Sequence, residues 1–135
     1  MTFHRFPRWA ALALTLSVAA GCAGTPKTTE DQVSARAAAR WQALIDGKPQ
    51  RAYGYLAPTV RANLTQNDYI DRHGRTLATA VRVRSVQCEA AECTVRIALD
   101  AKSPVPGMVG STITTMLDES WVRQDGDWWA AAVGR

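Results

Sequence analysis

Between Val33 and Ile45 the apolar positions Val33, Ala37, Trp41, Leu44 and Ile45 recur at helical spacing. Thr29 and Gln32 stand three apart ahead of them, the pattern of a capping box, and Gly47 offers a stop. One amphipathic helix is predicted between these signals, with Arg36 and Arg40 on its flank. Pro49 suits the first turn of a second, short helix, which carries Ala52, Tyr53, Tyr55 and Leu56 and has to end before Pro58. Thr65 and Asp68 start a third segment that Gly74 closes. Leu64 and Tyr69 flank its cap at the spacing of a hydrophobic staple.

Beyond Thr76 the period changes. Residues 78–87 and 94–99 are rich in β-branched side chains and flank the short turn 89–92, so they predict a hairpin. The run from Ser103 to Gly107 holds two prolines and reads as a loop. Residues 112–124 predict a long strand, Asp125-Gly126 a two-residue turn, and residues 127–133 a final strand. That turn sets Arg123 beside Trp128, in reach of a cation–π contact worth roughly 0.5–1 kcal/mol if exposed. Helices first, then about four antiparallel strands, is an α+β layout with the helices on one face of the sheet.

The first hairpin contains a conflict. If Cys88 faces Cys93, regular pairing sets Arg84 beside Ile97 and Arg82 beside Leu99. Yet Val81 and Val83 are the residues that belong in a core with Val95, Ile97 and Leu99. A one-residue slip turns every side chain to the other face, so a β-bulge near Ser85-Val86 is expected to restore it.

The N-terminus follows neither period. Arg5 and Arg8 precede an apolar run over residues 10–20, with no acidic group among them. The run is too short for the roughly 20 residues that cross a bilayer, and it reads as a secretory signal peptide. Ala19-Ala20-Gly21-Cys22 resembles the lipobox of bacterial lipoproteins, with Ala19 where Leu is usual. The resemblance implies removal of residues 1–21, lipidation of Cys22, and a lipidated tether over residues 22–29 ahead of a single domain at 30–135. Ala23 stands where Asp resembles an inner-membrane retention signal, which favours an outer-membrane lipoprotein facing the periplasm. Loss of residues 1–21 lowers the net charge from +4 to +2, and the remaining basic residues form no run. Nucleic acid is therefore rejected as a partner.

With Cys22 spent on lipid, Cys88 and Cys93 remain, and in an oxidising envelope the pair reads as a structural disulfide. No metal or cofactor is expected, since His73 is the one histidine of the mature chain. Phosphate loops, serine-hydrolase elbows, zinc-protease helices and calcium loops have no match in the sequence.

The segments Arg40-Trp41-Gln42-Ala43-Leu44-Ile45, Ala52-Tyr53-x-Tyr55-Leu56-x-Pro58-x-x-Arg61 and Glu119-x-Trp121-Val122-x-x-Asp125-Gly126-x-Trp128 resemble small envelope lipoproteins of proteobacteria. Those are similar to the nuclear transport factor 2-like superfamily, which implies a cone: a bent sheet wrapped around helices and a cavity. Enzymes, ligand binders and interaction modules share that fold, so it assigns no activity. Some of the enzymes use a carboxylate base beside a tyrosine. Here Glu119 is the candidate, on the strand face of Leu117, Trp121 and Trp128, with Tyr53, Tyr55 and Tyr69 as pocket hydroxyls. Equally, Glu119 could face solvent or pair with an arginine, and the tyrosines could simply pack. Asp71 and His73 point in different directions on a helix and suit a helix end. Trp121, Trp128 and Trp129 alternate in face, so one of them can anchor a partner.

The expectation is a membrane-anchored, non-catalytic interaction module that binds an envelope protein or a second copy of itself. The alternative is a binder of a small apolar ligand in the cone, and more remotely an isomerase- or dehydratase-like enzyme.

Overall fold

Thr28, one residue before the expected cap, opens the first helix. Its hydroxyl accepts from the Asp31 amide at 3.1 Å while the Asp31 carboxylate accepts from the Thr28 amide at 3.2 Å. This reciprocal capping box starts α1 (Thr29–Ile45). The helix stops at Gly47, whose φ of +68° is open to glycine at little cost. There the Lys48 amide reaches the Ala43 carbonyl and the Gly47 amide reaches Leu44, the paired bonds of a Schellman motif. The computed structural model describes residues 27–133. The signal segment, Cys22 and all of the tether up to residue 26 lie outside the described residues.

Prolines set the next two starts. Pro49 begins α2 (Pro49–Tyr53), and Pro58, expected only as a barrier, itself opens a short helix α3 (Pro58–Arg61) by the same first-turn preference. Thr65 caps α4 (Gln66–His73) by accepting from the Asp68 amide at 3.2 Å. At Gly74 a β-carbon would come within 2.4 Å of the Ile70 carbonyl oxygen, so the turn out of α4 needs glycine.

Four strands follow as an antiparallel meander in the order β1-β2-β3-β4: β1 (Ala78–Glu89), β2 (Glu92–Lys102), β3 (Thr112–Gln124) and β4 (Asp127–Ala130). β1 and β2 run closer to their turn than expected, leaving only Ala90-Ala91 outside the strands. β4 ends three residues before Val133. The disulfide joins Cys88 and Cys93, which are directly opposed. The register then shifts between Val83 and Ser85, which makes Arg84 the extra residue. Val83 consequently faces Ile97 and Val81 faces Leu99. The expected bulge therefore exists, a residue or two earlier than placed, and it does what the conflict required of it.

The helices cover one face of this sheet. Val33, Ala37 and Leu44 of α1 bury against Val95, Ile97 and Trp121, with Ala52, Leu56 and Tyr69 closing the layer. The β4 edge is also occupied. The Ala57 amide reaches the Ala130 carbonyl and the Ala130 amide reaches Tyr55, both at 2.9 Å. The chain between α2 and α3 thus acts as a cover for an edge that would otherwise offer free backbone groups.

Candidate functional site

The stripe that α1 buries runs Val33, Ala37, Arg40, Leu44, at steps of four, three and four residues. A guanidinium thus holds a place in a core stripe, and Arg40 is only 2% exposed. The expectation of a flank position is corrected by this spacing. A buried charge without a partner costs several kcal/mol, so the opposite layer has to answer it.

β3 does so with Glu119, whose inward face is fixed by its register opposite Val95. Arg40 Nη1 forms an ion pair with Glu119 Oε1. Trp41 donates its Nε1–H to the same oxygen at 2.8 Å, and Trp121 donates its own to Oε2 at 3.3 Å. Both carboxylate oxygens are therefore engaged by fixed donors. Of the readings open for Glu119, pairing with an arginine is the one the structure contains.

Tyr69 packs beside this pair and is fully buried. Burial pushes its phenol above the ordinary value, and the neighbouring Arg40 guanidinium pulls in the opposite direction with a smaller effect. Neither the Tyr69 hydroxyl nor Arg40 Nε has a hydrogen-bond partner, although both are buried. Tyr53 tilts against the Tyr69 ring at 5.5 Å and donates its hydroxyl to the Leu64 carbonyl at 2.8 Å. Tyr55 lies under the Arg36 guanidinium, 5.3 Å from its ring centre. The four residues expected around one pocket therefore split: Glu119 and Tyr69 meet at Arg40, Tyr53 packs against Tyr69 with its hydroxyl on the backbone, and Tyr55 lies at Arg36.

The tryptophans also depart from expectation. Trp121 and Trp128 are buried, at 0% and 5% exposure, because the inward face of the hairpin lies under the helices and their indoles fill that space. Both belong to the core. Trp129 points the other way yet is half-buried, with Arg36 at 4.9 Å and Arg61 at 5.3 Å from its ring and its Nε1–H on the Gln124 carbonyl at 3.0 Å. These arginines take the cation–π role expected of Arg123, which is exposed. His73 sits 5.8 Å from the Tyr69 ring and Asp71 is exposed, so the two do not act together.

What the sequence reading missed is the far end of the β2–β3 hairpin. Leu77, Val105, Met108, Val109 and Ile113 are all exposed there, Leu77 at 80% and Val109 at 77%. The register places Ala78 opposite Ala101 and Ala101 opposite Ile113, so these residues share one end of the sheet with the loop 103–111. The proline-glycine run announced a loop; the apolar residues between them were the available signal.

No family model matches the chain, and no curated protein matches it. Among solved structures, the fold is similar to the solution structure of a SEC-C motif containing protein from Rhodopseudomonas palustris. That likeness has a TM-score of 0.55 at 12% identity and covers 73% of each chain. At this identity it is a likeness of fold alone.

Proposed function

We propose that this chain is a non-catalytic interaction module, held at an envelope membrane by lipid on Cys22 and docking a second protein through the open end of its β2–β3 hairpin. The observation that carries the reading is the exposed apolar group Leu77, Val105, Met108, Val109 and Ile113. Exposed apolar side chains gathered at one end of a sheet mark a candidate interaction site. A catalytic reading loses its candidate base, since Glu119 is held by three donors. A ligand reading centred on Glu119 loses its free carboxylate to the same side chains.

The lipid anchor rests on the lipobox resemblance, and outer-membrane sorting on Ala23. A nuclear transport factor 2-like identity of the fold is supported by the helices that precede a four-stranded antiparallel meander and pack on one of its faces.

The test is a photo-crosslinking amino acid at Val109 of the full chain, in membranes, with the same group at Arg96 on the opposite face of the sheet. A discrete protein adduct from position 109 and none from 96 is expected. Lipid-only products, or equal adducts from both, would sink the docking site. Loss of membrane partition in Cys22→Ser tests the anchor separately.

A further inference from the structure

A cavity of about 220 Å³ opens beside the buried ion pair, between the C-terminal halves of α1 and α4. Arg40, Arg72, His73 and Arg75 supply its polar wall, and Trp41 and Leu44 much of its apolar one. The volume is below the roughly 300–1,000 Å³ of sites for drug-sized ligands, so its occupant is small.

The charge around it is one-sided. Three arginines line the space, and the carboxylate next to it, Glu119, is already engaged by Arg40, Trp41 and Trp121. Among the described residues the ion pairs are Arg40–Glu119, Arg82–Asp100 and Arg96–Asp118, and neither Arg72 nor Arg75 takes part in one. Basic side chains in the last turn of α4 are favourable for the helix dipole alone, which explains Arg72 and His73 singly. That dipole contributes roughly half a negative charge, which three guanidiniums outweigh even after Glu119 is subtracted. Nor does it account for Arg75, beyond the helix, or for Arg40, which comes from α1.

The second observation is the unfilled hydrogen-bonding capacity of the wall. Arg40 is almost fully buried and lines the cavity, yet its Nε–H has no acceptor. A buried donor left unpaired costs about 1–3 kcal/mol. It is retained here in a wall already short of negative charge. Both deficits call for the same thing, an oxygen anion.

We propose that this cavity binds a small organic acid whose carboxylate lies among Arg40, Arg72 and Arg75 and whose apolar part rests against Trp41 and Leu44. Arginine suits the task because its planar fork matches a carboxylate with two parallel hydrogen bonds. The cavity borders the docking surface where Thr76 meets Leu77, but its test reads benzoate rather than a protein adduct, so either proposal can fail without the other.

Benzoate is the probe, titrated calorimetrically into the full chain in non-ionic detergent micelles. Benzamide provides the same shape without charge, and inorganic phosphate provides charge without the apolar part. Saturable one-site binding of benzoate is expected, with benzamide and phosphate each at least tenfold weaker. Arg72 and Arg75 are exposed, so R72Q/R75Q leaves the core intact. It is expected to weaken benzoate about tenfold or more, while R96Q on the opposite sheet face leaves it unchanged. Absent saturation, equal binding of benzamide, or undiminished binding by R72Q/R75Q would overturn the proposal. Phosphate binding as tightly as benzoate would overturn the assignment of an organic acid.

Discussion

Arg40 shows how a single residue can be read two ways from one sequence. By type it belongs on a helix flank; by position, three after Ala37 and four before Leu44, it belongs to the buried stripe. Position wins because Glu119 meets it. Removal of one partner leaves the other buried and unpaired, so Glu119→Ala is expected to cost about 3–5 kcal/mol in chemical denaturation. The double variant Arg40→Met/Glu119→Leu should lose much less than the two single changes added together, since no uncompensated charge remains. Additive losses would show that the pair is not coupled. Tyr69 gives the pH-dependent counterpart. Its phenol is raised above the ordinary 10.0 by burial, so the native state favours the neutral form. The stability this contributes is complete below pH 10 and is lost as pH rises through the raised value. A Tyr69→Phe variant should lack the latest component of the phenolate absorbance titration, and its stability should fall less steeply in that alkaline range.

At the scale of elements, the β1–β2 hairpin is set by two devices that work against each other until Arg84 is counted. The disulfide fixes Cys88 opposite Cys93, and the extra residue at Arg84 returns Val81 and Val83 to the face of Leu99 and Ile97. The bridge closes a loop of few residues, so its entropic contribution is modest. Cys88→Ala/Cys93→Ala should lower unfolding stability by about 2 kcal/mol and keep the fold. Complete unfolding under reducing conditions would mean that the bridge also holds the register. Both the conflict and its remedy were legible in the sequence, because a period of two leaves no intermediate solution. α3 was less legible. Its four residues carry no apolar period of their own, and the same Pro58 that opens it had served as a stop signal.

For the whole molecule, the two edges of the sheet are treated differently. β4 is covered by the Tyr55–Ala57 segment, whereas among the described residues no strand pairs with the outer edge of β1. Hydrogen exchange should therefore find the Ala57 and Ala130 amides nearly as protected as the centres of β2 and β3. Outward-facing amides of β1 should exchange faster. Rapid exchange at Ala130 would mean that the cover is not held in solution. The same architecture carries both proposed surfaces, the apolar hairpin end with Leu77 and the basic cavity between α1 and α4, which border each other at Thr76 and Leu77.

The sequence by itself determined the local grammar: Pro49 and Thr65 at helix starts, Gly47 and Gly74 at helix ends, the Asp125-Gly126 turn, the cysteine pair and the need for a bulge. Each depends on backbone geometry or on contacts within a few residues, so the chain states it directly. The tertiary structure decided which charges and indoles went inside. Arg40, Glu119, Trp121 and Trp128 are buried because the helical layer packs on the inward face of the sheet, whereas Leu77 and Val109 stay exposed at the end of the sheet that carries the loop 103–111. Spacing gives each element a face, but what covers that face depends on how distant segments pack, and a single sequence states this only where a residue such as Arg40 is costly enough to demand an answer.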